Sequence, residues 1–134
     1  MFLWLADHFD NQRFIEQAIQ MKSNERLNIW RALSDLFLDT EIDEVSFKYI
    51  ARTIDDSGFT LEQAEDILWY EVYPVLEANL RSPAGVWSGW PDEWLAKTIG
   101  STPRPKAVKG DRSVIKEIER CWDVVCGYSK SSAS

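Results

Sequence analysis

The chain has 134 residues, 45% of them hydrophobic and 13% aromatic, with seven Trp, two Cys and a single His. That is ample for one packed domain and too apolar for a disordered segment, and only His8 could serve Ser-His-Asp or Cys-His catalysis. The net charge of −7 is uneven: residues 1–99 hold 18 Asp/Glu and 8 Lys/Arg, whereas 100–134 hold 4 and 7, so an acidic body carries a basic end. Such a body repels nucleic-acid backbones and anionic membranes and favours a basic protein as partner.

Phe2-Leu3-Trp4-Leu5-Ala6 is apolar, but it has no basic leader and is soon ended by Asp7, His8 and Asp10, which argues against a signal sequence or membrane span. From Asp10, the spacing of Phe14, Ile15, Ala18 and Ile19 predicts a short amphipathic helix to about Lys22. Ser23 or Asn24 then caps a second helix with Leu27, Trp30, Leu33 and Phe37 on one stripe and Ile29 and Leu36 widening it. After the polar run Asp39 to Glu44, Asp43 caps a third helix with Phe47, Ile50, Ala51 and Ile54 inward and Gly58 as its left-handed stop.

Thr60-Leu61-Glu62-Gln63 is a capping box, in which hydroxyl and amide side chains each satisfy a backbone N–H of the other residue. It opens the most apolar helix of the chain. At about 100° per residue Leu61, Ala64, Leu68, Val72 and Val75 form one stripe, with Trp69 on its flank and Tyr70 and Tyr73 nearly opposite. Pro74 predicts a kink or restart before the helix continues to Leu80. The stretch 82–90 reads as a loop, Pro91 begins a helix carrying Trp94, Leu95 and Ile99, and Gly100 stops it. Residues 100–110 have the composition of a flexible, basic linker. Asp111 opens the last helix, with Val114, Ile115, Ile118, Trp122 and Val125 inward and Gly127 closing it, and 128–134 reads as a disordered tail. The expected architecture is all-α: a compact single-domain bundle of five to seven helices spanning 1–127, with no internal repeat and no strand.

The chemistry-bearing residues are sparse. Cys121 and Cys126 lie about 140° apart around a helix and about 7.5 Å along it, too far to bridge, as expected of a reduced, cytoplasmic protein. Zinc and di-metal sites lack their histidines, and no cofactor is expected. Asp39-x-Glu41-x-Asp43 begins like a calcium loop, but Glu44 stands where its Gly belongs and Ile50 where its bidentate Glu belongs. Gly85-Val86-Trp87-Ser88-Gly89 lacks the spacing and the Lys of a phosphate-binding loop.

Glu71 lies near the apolar stripe of the core helix and, if buried, needs a partner such as Arg31 or Arg52; a structural ion pair is the expected role. Basic residues Arg104, Lys106, Lys109, Arg112, Lys116 and Arg120 lack interleaved aromatics and read as a solvated face. Glu62, Glu65, Asp66 and Glu77 form an acidic face suited to steering a basic protein, and Trp87 and Trp90 supply a second candidate surface.

The segments Trp30-x-Ala32-Leu33-Ser34-Asp35-Leu36-Phe37-Leu38-Asp39-Thr40-Glu41, Ile67-Leu68-x-x-Glu71-Val72-x-Pro74-Val75-Leu76-x-x-Asn79-Leu80 and Gly85-Val86-Trp87-x-Gly89, with Trp94-Leu95, resemble a family of small bacterial proteins whose domain is uncharacterised. The likeness spans about residues 25–99. It implies a bacterial origin and transfers no site residue. The expected function is a non-enzymatic protein-binding module, specifically an immunity or antitoxin protein covering the active surface of a basic bacterial toxin, working as monomer or homodimer without nucleic acid or membrane. The alternative is an adaptor or oligomeric structural protein using exposed Trp and Tyr, and an enzyme of unrecognised type comes third.

Overall fold

The computed structural model describes residues 24–38, 41–81 and 89–130. The helix expected over 10–22, the residues Asp39 and Thr40, the loop carrying Trp87 and the last residues of the tail lie outside them. Helix α1 covers 24–34 and passes into a 3-10 turn, Asp35–Phe37; α2 is Glu44–Ser57, α3 Leu61–Ile67, α4 Tyr73–Arg81, α5 Asp92–Ser101 and α6 Arg112–Tyr128. A π-helical turn, Leu68–Val72, joins α3 to α4, so the described residues form five helical rods without a strand. The all-α fold expected from periodicity is the fold observed.

Local chemistry sets the helix starts. Asp43 accepts from the Ser46 N–H at 2.9 Å, and Asp111 from the Ser113 N–H at 2.7 Å. The capping box forms in both directions: Thr60 Oγ1 accepts from the Gln63 N–H at 3.0 Å and Gln63 Oε1 from the Thr60 N–H at 2.9 Å. Gly58 ends α2 at φ 82°, a conformation that costs a residue with a Cβ. Pro91 stands one position before α5 rather than at its first turn, and α5 runs through Gly100 to Ser101.

The core is one cluster. Ile29, Leu33, Leu36 and Phe37 from α1 and its 3-10 turn meet Phe47, Ile50 and Ile54 of α2, Ile67, Leu68, Val72, Tyr73 and Leu76 of the central rod, Leu95 of α5, and Ile118, Trp122 and Val125 of α6. Helices α2 and α6 pack extensively on each other. At the end of α6 the Ser129 hydroxyl and the Lys130 N–H donate to the two carboxylate oxygens of Asp55 at 2.7 and 2.9 Å. The helix therefore runs past Gly127 to Tyr128, and the chain stays attached to α2 beyond the expected end.

The central rod departs from the expected stripe for a geometric reason. Ala64, Leu68, Val72 and Leu76 are all buried, four residues apart. At 100° per residue, Leu76 of a regular helix would lie about 120° from Ala64; one turn that takes in an extra residue reduces this to about 20°. The wide turn sits just ahead of Pro74, which has no N–H to donate, and the preceding Tyr73 N–H donates to the Leu68 carbonyl. Tyr73 is rotated inward by it: expected on the outer side, it is 1% exposed, whereas Val75, expected inside, is half-buried.

Leu27 and Trp30 are half-buried rather than central in the α1 stripe. Asn79 Nδ2 donates to the Phe37 carbonyl at 2.8 Å, fastening α4 to the 3-10 turn.

Candidate partner-binding groove

Glu71 lies inside the wide turn with its side chain 13% exposed. Its Oε1 accepts from Arg26 Nε at 2.9 Å and from the Trp30 indole N–H at 3.0 Å; Oε2 pairs with Arg26 Nη2 and accepts from Arg104 Nη1 at 3.0 Å. Carboxylate oxygens accept several donors at once, so one acid ties together α1, the π turn and the connection between α5 and α6. The partners are Arg26 and Arg104, not Arg31 or Arg52. Arg31 instead forms a fork with Asp92 at 2.7 and 2.6 Å, joining α1 to the first turn of α5. Both Arg26 and Arg104 keep roughly two fifths of their side chains in water, at 39% and 45% exposed, so the node is buried on the acid's side only.

Arg104 reaches further. Its Nη2 pairs with Asp66, and its guanidinium carbon lies 5.1 Å from the centroid of the Tyr70 ring. The connection after α5 is thus laid back over the π turn. Val108 packs against the core from the same connection, and Gly110, at φ 135°, lets the chain pass so close to Tyr73 that a Cβ there would sit 2.5 Å from its hydroxyl.

Beside this contact the central rod and α6 enclose a cleft of about 550 Å³. Its apolar lining is Trp69, Tyr70, Val108 and Ile115; its acidic lining is Glu62, Glu65, Asp66 and Glu119. Successive turns of α3 supply the first three acids, because residues three and four apart share a helix face. Asp66 is neutralised by Arg104. Among the described residues no cation forms an ion pair with Glu62, Glu65 or Glu119. A second cleft of about 340 Å³ lies on the other side of Glu62 and Asp66, bordered by Arg26 and Phe59, so these two acids stand on the ridge between two depressions.

Of the residues singled out in the sequence, Glu62, Glu65 and Asp66 come together at the groove. Glu77 does not join them: it lies on α4 beyond the wide turn, is half-buried, and its carboxylate faces Gly110. Trp90 stacks on Trp94 at 6.4 Å in front of α5, while Trp87 lies outside the described residues. Sequence reasoning missed Trp69, Tyr70 and Glu119 as groove residues. A tyrosine on the outer side of an otherwise apolar helix was the available signal for the second; Glu119 had none, since α6 meets α3 only through tertiary packing.

The two cysteines are free thiols, and burial pushes Cys121 up to about 11, so at neutral pH it is an unreactive thiol within the core. No group of three potential metal ligands is gathered among the described residues. No helix there is long and apolar enough to cross a membrane.

Compared with known proteins, residues 24–123 match the family described as Domain of unknown function (DUF7079), and the chain belongs to that family. The match extends beyond the likeness read over 25–99: it includes the connection bearing Arg104 and most of α6, and with them every lining residue of the groove. No curated protein and no solved structure matches the chain.

Proposed function

We propose that this protein is a non-enzymatic binding module that holds a basic protein against the α3 acids and the groove beside them. One observation carries the reading: Glu62, Glu65 and Glu119 line a single aromatic cleft, and among the described residues none of them has an ionic partner. Exposed charges of one sign over an apolar floor speed the encounter with an oppositely charged surface, while the aromatic area supplies contact once the surfaces meet. An immunity or antitoxin protein of a bacterial cytoplasm, neutralising a basic toxin by covering it, is the particular form we favour. It is supported by the net charge of −7 and the acidic groove.

A specific feature favours a second reading, an adaptor or self-associating protein. Trp94 is 41% exposed and stacks on Trp90, an apolar surface separate from the groove lining. Co-purification from the native cell, comparing wild type with the Glu62→Lys, Glu65→Lys double variant, tests the first reading. A basic protein retained by wild type and lost by the double variant is the expected result. Equal recovery from both, or self-association only, contradicts it.

A further inference from the structure

We propose that the groove recognises its basic partner through an arginine side chain, whose guanidinium lies on the Trp69 indole and pairs with Glu62, Glu65 or Glu119. This deepens the proposed function and rests on it. The chain already contains the recognition unit once. Arg104 sets its guanidinium over Tyr70 at 5.1 Å while its two terminal nitrogens reach Asp66 and Glu71. A planar, delocalised cation matches both halves of that arrangement, the negative face of a ring and the two oxygens of a carboxylate, whereas an ammonium is a compact, strongly hydrated point charge.

The adjoining part of the groove repeats the components without the cation. Trp69 presents the aromatic surface, and among the described residues no cation stacks on it. Glu62, Glu65 and Glu119 supply the carboxylates and are exposed, while Val108 and Ile115 give an apolar wall for the aliphatic stem of a long side chain. The volume, about 550 Å³, is in the range of sites that take up a ligand group rather than a single water. These acids are not gathered as a metal cluster, so charge complementarity selects a spread cation on a flexible arm.

The test uses the intact chain, labelled with 15N, and three short Gly/Ser peptides that differ at two adjacent positions: arginine, lysine or the neutral isostere citrulline. The Trp69 indole N–H resonance is followed through each titration. The expected result is saturable movement with the arginine peptide, binding about tenfold tighter than the lysine peptide, and no response to citrulline. The Glu62→Gln, Glu65→Gln variant, whose changes fall on exposed positions, should retain the wild-type spectrum when free and bind the arginine peptide about tenfold more weakly. An unmoved Trp69 resonance at millimolar arginine peptide overturns the inference, as does equal binding of lysine and arginine, or of wild type and the Gln variant. If a co-purified basic partner still depends on Glu62 and Glu65 while Trp69 ignores all three peptides, the arginine inference fails and the binding-module reading stands.

Discussion

The Trp30 indole N–H donates to Glu71 Oε1 at 3.0 Å, on the same carboxylate that Arg26 clasps from one helical turn earlier. This pairing accounts for Trp30 sitting at the margin of the core instead of its centre: a half-buried indole N–H takes an acceptor, and here the acceptor is held in the π turn of the central rod.

Replacing that acceptor should weaken the fold moderately. Glu71→Gln keeps the volume but removes the charge from contacts with two guanidinium groups, and hydrogen bonds to charged groups contribute about 1.5–3 kcal/mol. Because Arg26 and Arg104 both reach water, the loss should stay within that range and below the larger cost of stranding a fully buried cation. Urea unfolding followed by tryptophan fluorescence measures it; an unchanged midpoint would show that the node contributes nothing.

A second prediction concerns the close passage of Gly110 over Tyr73. An alanine at φ 135° is strained and its Cβ would meet the Tyr73 hydroxyl at 2.5 Å, so Gly110→Ala should destabilise by about 1–3 kcal/mol. Tyr73→Phe in the same chain should relieve the steric part and leave the backbone part, giving a coupling of about 0.5 kcal/mol or more in a double-mutant cycle. Additive effects would place the strain elsewhere.

These residues also show what was legible in the sequence. The capping box, the Asp43 and Asp111 caps and the Gly58 stop were readable because they depend on neighbours within four residues. So was the stripe of α3 up to Leu68, which obeys a single period. Beyond it, the four-residue spacing of Ala64, Leu68, Val72 and Leu76 conflicts with a regular helix, and the resolution of that conflict by a wide turn moved Tyr73 inward. The partner of Glu71 was beyond reach for a different reason. Arg26 and Arg31 are five residues apart, about 140° around α1, so which one faces the acid is fixed by how α1 rolls on the core. Arg104 depends on the path of a connection that local periodicity does not encode.

Asp35 gives a pH dependence. Burial holds its carboxyl above the ordinary aspartate range, so the folded chain binds that proton more tightly than the unfolded chain does. The stability tied to this group is fully present below the unfolded value and is lost as pH rises through the higher folded value. Asp35→Asn, which cannot ionise, should therefore be more stable than wild type at pH 7, with the difference shrinking as pH falls through the carboxylate range. Thermal midpoints of both proteins between pH 3 and 7 check the sign; a difference that grows on acidification would reverse it.

The groove as a landing surface for a basic protein is tested most directly by association kinetics. With the co-purified partner, stopped-flow rates would be measured for wild type and for Glu62→Lys, Glu65→Lys over a range of salt concentrations. Both positions are exposed, so the double reversal should fold, and exposed complementary charges act chiefly on the association rate and its salt dependence. Slower association with a flattened salt slope in the double reversal is the predicted result. Equal rates and equal slopes in the two proteins would contradict the assignment and move the partner surface away from α3.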